Sequence, residues 1–245
     1  MEKRPVHSQQ ITEKLGAITN SDVLLLIPTL NEEEAIRQLI QEARKSDFDD
    51  ILIVDGFSSD STRDVAISMG ARVVLQEFGK GKGCGVRTGM KLFLEGDSKF
   101  LSIIDGDLTN IPSELAKMMP VLASGNSDVV LGSRTQGKRE RGSMPALSLA
   151  SNLTVSFLIG MKFLRLFTDI QTGYWIFSRK AVRRIYPKIR STGFEIELEL
   201  FVRVMKEKLR VSEIPVGFRK RKGKTKFSFR LRLRNLYYAF KYLAS

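Results

Sequence analysis

The chain alternates between short, uninterrupted apolar runs and longer amphipathic segments. Apolar runs at 23–27, 51–54 and 100–104 have the length and composition of strands that are buried on both faces. Between and after them, helical periodicity is predicted over 33–45, 61–69 and 83–95. A further strand is expected at 128–132, around the apolar residues Val129, Val130 and Leu131, and Ser133-Arg134 follow it. This pattern predicts an α/β fold with a mainly parallel central sheet and helices on both faces.

Polar residues follow three of the predicted strands directly. Pro28-Thr29-Leu30-Asn31-Glu32 follows the first, Asp55 the second, and Asp105-Gly106-Asp107 the third. Because the carboxyl ends of parallel strands open onto one edge of a sheet, these residues are expected to converge. Two carboxylates one residue apart can hold a hard divalent cation, although the same pattern also occurs in simple turns. A metal at this edge would imply a phosphate-bearing partner.

Composition narrows the classes of chemistry. With 245 residues, 42% apolar and 27% charged, the chain fits one globular α/β domain with an extension. Its single cysteine, Cys84, excludes a disulfide framework and a cysteine-rich zinc site, and suits a reducing cytoplasm. The single histidine, His7, lies in a polar N-terminal arm. A buried Ser-His-Asp or Cys-His system is therefore not expected, and a metal would have to use oxygen ligands.

The positive charge is concentrated near the C-terminus. The net charge is +13, and residues 203–245 carry +12 of it, with fourteen Lys or Arg against Glu207 and Glu213. Such a block can contact nucleic acid, anionic lipid or a phosphorylated substrate, or can form a solvated basic face. Steeply salt-dependent binding to RNA or DNA would favour the first of these alternatives.

Three regions follow from these patterns: a polar arm over 1–20 without the apolar core of a secretory signal, an α/β domain over 21–226, and a basic amphipathic segment over 227–245. The last segment suits a helix in an anionic headgroup region or a helix packed on its own domain. The apolar stretch 147–167 is interrupted by Asn152, Lys162 and Arg165, which makes it a poor spanning helix. A soluble or peripheral protein is expected, and a peripheral one would lie on the cytoplasmic face of a membrane.

A set of short motifs, taken in order, resembles family-two glycosyltransferases. Over roughly 23–229, the chain is similar to the branch that includes dolichyl-phosphate mannose and glucose synthases. The motifs are Pro28-Thr29-Leu30-Asn31-Glu32, Val54-Asp55, Gly81-Lys82-Gly83, Asp105-Gly106-Asp107, Gly132-Ser133-Arg134, Asp169-Ile170-Gln171-Thr172-Gly173-Tyr174, Phe194-Glu195-Ile196-Glu197, Glu213-Ile214-Pro215-Val216 and the basic run 219–226.

The resemblance implies a nucleotide-sugar-binding fold of the glycosyltransferase A type. Pro28, Thr29, Glu32 and Asp55 would contact the donor base and ribose, and Lys82 would border the donor site. Asn31 and Glu32 would also suit the start of a helix. Asp105, Gly106 and Asp107 would approach the donor diphosphate through Mg²⁺ or Mn²⁺, with Asp107 the better candidate for direct ligation. The glycine-rich residues 79–83 suit a phosphate cradle or a flexible turn.

For the acceptor, the resemblance places five arginines in segments that contact phosphate: Arg134, Arg139, Arg141, Arg219 and Arg221. A lipid phosphate is ionised at neutral pH, so it needs positioning by cations rather than a strong base. This favours polyprenyl or dolichyl phosphate as the acceptor. Asp169 would act as a base toward a hydroxyl, or would only orient other groups. The predicted catalytic residues are Asp107, Arg134 and Asp169.

Two further sets of residues are assigned to packing or to the site. Glu195 and Glu197 are predicted to belong to a helix that continues through Met205, as a structural anchor or as carboxylates that line the site. Tyr174, Trp175 and Phe177 have the composition of a core strand.

Three positions depart from the pattern of the family. Gly56 replaces a second acid, Thr109 replaces a metal-contacting glutamine of some mannose synthases, and Thr225-Lys226 replaces the more usual Ser-Lys. The first two bear on the donor base and the metal.

The sequence therefore predicts a metal-dependent, inverting transferase that moves a hexose from a nucleotide sugar to polyprenyl phosphate, with GDP-mannose first and UDP-glucose second as donor. A soluble transferase acting on a small phosphorylated acceptor, such as phosphoglycerate, is the alternative. A basic nucleic-acid-binding protein would leave the acidic strand ends unexplained, and no nucleic-acid partner is expected.

Overall fold

The computed structural model describes residues 19–223 and 229–244. The predicted N-terminal arm, including His7, lies outside the described residues except for Thr19 and Asn20, and so do Thr225 and Lys226. The seven strands are β1 Val23–Thr29, β2 Ile51–Asp55, β3 Arg72–Leu75, β4 Phe100–Ile103, β5 Val129–Ser133, β6 Trp175–Ser178 and β7 Val211–Pro215. The eight α-helices of this part of the chain are α1 Glu33–Lys45, α2 Thr62–Ser68, α3 Lys82–Glu95, α4 Leu115–Ala123, α5 Ala146–Lys162, α6 Arg179–Ile185, α7 Ile196–Lys206 and α8 Phe229–Ala244.

The strands form one sheet in the order β3-β2-β1-β4-β6-β5-β7. Only β6 runs antiparallel to its neighbours, β4 and β5, and all other pairs are parallel. The predicted α/β architecture is confirmed. The reversed strand has a consequence for the site: its first residue, Trp175, pairs with Ile103 and Leu131 near the carboxyl ends of β4 and β5. The segment that precedes β6, which contains Asp169, is therefore brought to the same edge as Asp105 and Arg134.

Successive residues of the central strand enter two different cores, as expected for a strand covered on both faces. Leu24 and Leu26 of β1 pack with residues of α3, α5, α6 and α7, whereas Val23, Leu25 and Ile27 pack with residues of α1, α2 and α4. All five side chains are at most 1% exposed.

Helix α1 shows how the local sequence determines an element. Its buried residues recur at the spacing of one helical face, namely Ala35, Ile36, Leu39, Ile40 and Ala43. Glu33 and Glu34 lie in the first turn and Arg44 and Lys45 in the last, where each charge complements the helix dipole. The helix thus begins at Glu33, next to its predicted start, but the N-cap residue is Glu32 and not Asn31, and its side chain makes no capping hydrogen bond.

The predicted amphipathic tail forms helix α8, which packs against α5 and α7. Ala239 and Asn235 face inward, at 0% and 5% exposure, while Tyr237 and Phe240 are more than half exposed. Lys162 at the end of α5 donates to the carbonyl oxygens of Tyr242, at 2.5 Å, and Leu243, at 3.2 Å. A cation at the carbonyl end of a helix is favourable, so this contact ties the ends of the two helices together.

Across 19–223 and 229–244, none of the helices combines the length and the hydropathy that crossing a bilayer would require.

Candidate active site

A cavity of about 760 Å³ opens at the carboxyl edge of the sheet. The ends of β1 and β2 contribute Pro28, Thr29 and Gly56, and the loop after β4 contributes Asp105 and Asp107. The predicted convergence of distant polar residues at one sheet edge is confirmed. Because the sheet holds these loops from below, the cavity is built on rigid elements.

Asp105 is held by Lys82, the first residue of α3. The Lys82 Nζ atom lies 2.5 Å from Asp105 Oδ1 and also contacts the carboxylate of Glu197 in α7. Burial alone would raise the pKa of Asp105, but the charge and hydrogen bond of Lys82 outweigh burial and lower it. Burial raises the pKa of Glu197, against the opposing effect of Lys82. Of the two glutamates considered from the sequence, Glu197 is the one that lines the cavity.

Asp107 is held by a different cation. Arg221 Nη1 lies 2.9 Å from Asp107 Oδ2, and Arg221 Nη2 lies 2.6 Å from Glu32 Oε1. Asp107 Oδ1 accepts a 2.6 Å hydrogen bond from the hydroxyl of Thr109. Burial raises the pKa of Asp107 and the neighbouring charge of Asp105 raises it further. The two carboxylates of the Asp105-Gly106-Asp107 motif are thus distinct, one tightly paired with a lysine and the other more easily protonated.

Gly173 explains why Asp105 can occupy its position. A Cβ atom added to Gly173 would collide with the carboxylate carbon and both oxygens of Asp105. The glycine of the 169–174 motif, which immediately precedes Tyr174 and β6, therefore leaves room for the carboxylate. The following aromatic residues belong to the core: Tyr174, Trp175 and Phe177 are all 0% exposed, which confirms their prediction as core-strand residues.

Arg134 and Asp169 form a buried, two-pronged ion pair. Arg134 Nε and Nη2 lie 2.7 Å from Asp169 Oδ2 and Oδ1, and the backbone N–H of Arg134 donates to Oδ2 at 2.9 Å. Asn152 of α5 donates to Oδ1 at 2.8 Å. Asp169 is 0% exposed. With both of its oxygens accepting hydrogen bonds, Asp169 is arranged to orient Arg134 rather than to remove a proton from a ligand.

Glu213 of β7 fixes the backbone on which Asp169 lies. Its carboxylate accepts hydrogen bonds from the backbone N–H groups of Thr168, at 3.0 and 3.1 Å, and of Asp169, at 2.8 Å. The Glu213-Ile214-Pro215-Val216 motif thus holds the 168–169 turn at the sheet edge, although this turn lies more than forty residues earlier in the sequence.

The glycine-rich turn 79–83 contributes Gly81 and the side chain of Lys82 to the cavity. Lys82 lines the cavity and Lys80 is exposed. The backbone N–H groups of Gly83 and Cys84 donate to the carbonyl oxygens of Gly193, at 3.1 Å, and Thr192, at 3.3 Å. These two donors of the helix start are therefore committed to the loop before α7. The preference for Lys82 over Lys80 is supported by this geometry.

The remaining predicted site residues lie beside the cavity or away from it. Asp55 is fully buried and accepts from the backbone and hydroxyl of Ser58 at 2.8 and 2.5 Å, beside rather than in the cavity wall. Gly106 is buried between the two aspartates and approaches Thr29. Arg139 and Arg141 lie exposed in the loop after β5. Arg219 pairs with Glu42 of α1 at 2.9 Å.

Several cavity residues have no counterpart in the sequence motifs. Asn152 of α5 and Asn235 of α8 line the wall, as do Gln76 after β3 and Phe218 after β7. An asparagine on a helix carries no local signal for a site, because only the packing of α5 and α8 over the sheet edge brings these two residues to the cavity. Lys220 also lines the cavity, although only its neighbours Arg219 and Arg221 were predicted to contact phosphate.

Asp105 and Asp107 suit a divalent metal whose remaining ligands would come from a bound phosphate and water. Within the described ranges, no cluster of three or more His, Cys, Asp or Glu could hold a metal by itself. Two carboxylates lining one cavity supply part of an oxygen shell, and Mg²⁺ typically completes such a shell with phosphate oxygens and water. Metal binding by Asp105 and Asp107 remains a prediction, and the oxygen donors at these positions suit it.

Known proteins resemble this chain over most of its length. The chain matches the family model described as Glycosyl transferase family 2 over residues 25–186. The dolichyl-phosphate hexose transferase of Haloferax volcanii is 30% identical over 214 residues, which cover 85% of this chain and 87% of that protein. The UDP-N-acetylglucosamine–dolichyl-phosphate N-acetylglucosaminyltransferase of Methanococcus voltae is 26% identical over 211 residues, covering 79% of this chain and 84% of that protein.

Among solved structures, the glucosyl-3-phosphoglycerate synthase of Mycobacterium tuberculosis, in complex with Mn²⁺, UDP-glucose and phosphoglyceric acid, superposes with a TM-score of 0.73. The match covers 99% of this chain and 86% of that one at 17% identity. At this identity the likeness shows the fold alone.

Proposed function

Because the chain belongs to glycosyl transferase family 2 and is a glycosyltransferase, we propose that it transfers a hexose from a nucleotide sugar to a polyprenyl phosphate. The observation that carries the proposal is that one cavity holds both a carboxylate pair, Asp105 and Asp107, and the guanidinium group of Arg134. The carboxylates suit a metal-bound diphosphate and the guanidinium suits a second phosphate. The names of both curated relatives contain dolichyl phosphate.

The donor would lie along the β1–β2 side of the cavity. Pro28, Thr29 and Glu32 line that side, with Asp55 buried behind Thr29, to which its side chain is hydrogen bonded at 3.4 Å. GDP-mannose is the first donor proposed and UDP-glucose the second. The Methanococcus voltae relative, whose name specifies UDP-N-acetylglucosamine, adds a third candidate for the test.

Mg²⁺ or Mn²⁺ would be held by Asp105 and Asp107, and would neutralise the charge that develops on the departing nucleoside diphosphate. Lys82 lies beside Asp105 and Arg221 beside Asp107, so the same carboxylates are already balanced by protein cations. With a metal held there, Lys82 and Arg221 would supply cations for the diphosphate oxygens.

The acceptor phosphate would be positioned by cations and attack the anomeric carbon directly. Arg134, Lys220 and Arg221 line the cavity, whereas the exposed Arg139 and Arg141 would act only at its approach. A phosphate ester is ionised at neutral pH and needs no general base, which agrees with the commitment of Asp169 to Arg134. Attack from the face opposite to the departing diphosphate would invert the anomeric configuration.

The test of this proposal is release of nucleoside diphosphate from GDP-mannose, UDP-glucose and UDP-N-acetylglucosamine, with Mn²⁺ or Mg²⁺. Each donor is offered with polyprenyl phosphate in detergent and, in parallel, with phosphoglycerate. Release that requires both the metal and the lipid supports the proposal and selects the donor. Release that requires phosphoglycerate would replace the lipid with a small phosphorylated acceptor.

We also propose that the protein contacts an anionic membrane from the cytoplasmic face, through the outer surfaces of α5, α8 and the turn 163–166. Large apolar side chains are exposed there: Leu147, Leu153, Phe157, Met161, Leu164, Leu166, Tyr237 and Phe240. Residues 146–167 and 229–244 contain six Lys or Arg and no Asp or Glu. An apolar surface on segments whose own charges are all positive suits the headgroup region of an anionic bilayer.

Replacing Leu164 and Leu166 together by serine is expected to lower binding to phosphatidylglycerol vesicles about tenfold or more, because each leucine loses its burial in the bilayer. They are 93% and 77% exposed, so the fold should be unaffected. Co-sedimentation with vesicles measures the effect. Ile67→Ser is the matched control, since Ile67 is 59% exposed on α2, on the opposite face of the sheet. Unchanged binding of the double variant would contradict this surface.

A further inference from the structure

Asn235, in the middle of α8, presents to the cavity a buried amide whose oxygen has no partner among the described residues. It is 5% exposed and lines the cavity wall. Its Oδ1 atom has no hydrogen-bond partner among the residues that the structure describes. Leaving a buried polar group unpartnered costs about 1–3 kcal/mol, and most such groups in native proteins have a partner. The partner of this amide is therefore to be sought in a ligand.

Two other buried polar side chains line the same cavity. Asn152 of α5 is 5% exposed, and while its N–H group is committed to Asp169, its Oδ1 atom also has no partner within the described part of the chain. Glu197 of α7 is 7% exposed and contacts Lys82. Helices α5, α7 and α8 thus each contribute one polar group that is able to bind a hydroxyl.

The position of these groups distinguishes them from the donor base and from the metal. Arg234, next to Asn235, is 3.0 Å from Glu195 at the start of α7, which places Asn235 near the amino end of that helix. Glu197 in the first turn of α7 is joined through Lys82 to Asp105. Asn152 contacts Asp169 in the segment before β6, whereas the proposed nucleoside contacts, Pro28 and Thr29, lie at the end of β1, which β4 separates from β6 in the sheet. Glu197 therefore lies beside the proposed diphosphate ligand Asp105, while Asn152, and α8 packed against its helix, lie on the side away from the nucleoside.

The chemistry of the groups identifies the part of the ligand that they suit. An amide offers both a donor and an acceptor, as does a sugar hydroxyl, whereas a phosphate group is better matched by cations such as Arg134. We infer that Asn235, together with Asn152 and Glu197, binds hydroxyl groups of the hexose that is transferred. The inference rests on the proposed function in so far as the ligand is a nucleotide sugar.

A purely structural role for Asn235 predicts a different response to substitution. Leucine branches at Cγ as asparagine does, and the neighbouring inward residues of α8, such as Ala239, are apolar. If the amide serves the ligand, Asn235→Leu removes an unpartnered buried group, so the melting temperature of the ligand-free protein should stay the same or rise. If the amide serves the fold, the melting temperature should fall.

The experiment compares binding of a nucleotide sugar with binding of its nucleoside diphosphate by titration calorimetry in Mn²⁺. The probes are UDP-glucose and UDP, GDP-mannose and GDP, and UDP-N-acetylglucosamine and UDP. For the donor that the wild-type protein binds, Asn235→Leu is expected to weaken binding of the sugar nucleotide about tenfold, as for the loss of one or two hydrogen bonds. Binding of the nucleoside diphosphate should change less than about twofold. The exposed Asn126→Leu is the matched control and should change neither.

The possible results bear differently on the role of Asn235 and on the proposed donor. Equal weakening of both ligands, or unchanged binding of both, would overturn the role of Asn235 and leave the transferase proposal intact. A wild-type protein that binds none of the three sugar nucleotides would overturn the proposed donors and this inference with them. Weakening confined to the sugar nucleotide, with an unchanged or higher melting temperature, is the expected result.

Discussion

Asp107→Asn is expected to lower kcat on the order of 1000-fold, because a metal-bound diphosphate contributes several kcal/mol to the stabilisation of the transition state. The fold should persist. Burial and the charge of Asp105 raise the pKa of Asp107, so removing its charge relieves a repulsion that offsets the lost contact with Arg221. Arg221 also keeps its 2.6 Å contact with Glu32. Steady-state turnover at saturating Mn²⁺ and a melting temperature within a few degrees of wild type are the two readouts.

Asp64→Asn is the control for this substitution, since Asp64 is an exposed acid in the first turn of α2. It should leave both turnover and the metal requirement unchanged. Near-native turnover of Asp107→Asn would contradict the metal site, whereas loss of activity accompanied by unfolding would be uninformative about the metal and is not expected from the geometry. Residual activity of the variant that still depends on the metal would point to Asp105 as the main ligand.

Arg134→Met is expected to have the second large effect, on both stability and acceptor use. Removing the guanidinium leaves the fully buried Asp169 without its charge partner, which costs about 3–5 kcal/mol in comparable buried pairs. If Arg134 positions the acceptor phosphate, kcat/KM for the acceptor should fall about 100-fold or more, with binding of the donor little changed. Thermal unfolding and initial rates at varied acceptor concentration measure the two effects.

The double variant Arg134→Met/Asp169→Asn separates stability from function. It removes both charges, so much of the lost stability should return, whereas acceptor use should not. Arg210→Met is the control, because Arg210 forms a similar two-pronged pair with Asp128, at 3.1 Å for both hydrogen bonds, but is 55% exposed and distant from the cavity residues. Recovery of activity in the double variant would contradict a role for Arg134 in binding the acceptor.

Much of the fold was predictable because its signals are local. The predicted helix 33–45 agrees with α1 at both ends, since its apolar periodicity and its terminal charges coincide. The apolar runs located β1, β2, β4 and β5 to within two residues at each end. The antiparallel direction of β6 was not predictable in the same way, because a continuous buried run such as 174–177 has the same composition in either direction.

The site was predictable where a motif follows a strand or begins a helix. Asp105, Asp107, Lys82 and Arg134 all reach the cavity as the motifs implied. Asn235 could not be found, because its position depends on where a helix from the end of the chain packs. Motif order also could not separate residues in the cavity wall from residues next to it: Asp55 is buried against Ser58, and Arg219 is paired with Glu42 on the surface of α1.

We propose that this cavity joins a hexose to a lipid phosphate. The product can be identified on the lipid itself, which is recovered after incubation of the enzyme with polyprenyl phosphate, the preferred nucleotide sugar and Mn²⁺ and is characterised by mass spectrometry and by its anomeric configuration. We expect one hexose per lipid phosphate, in the configuration opposite to that of the donor, and no product when a chelator removes the metal. Transfer of the hexose to phosphoglycerate, with no sugar on the lipid, would contradict the claim.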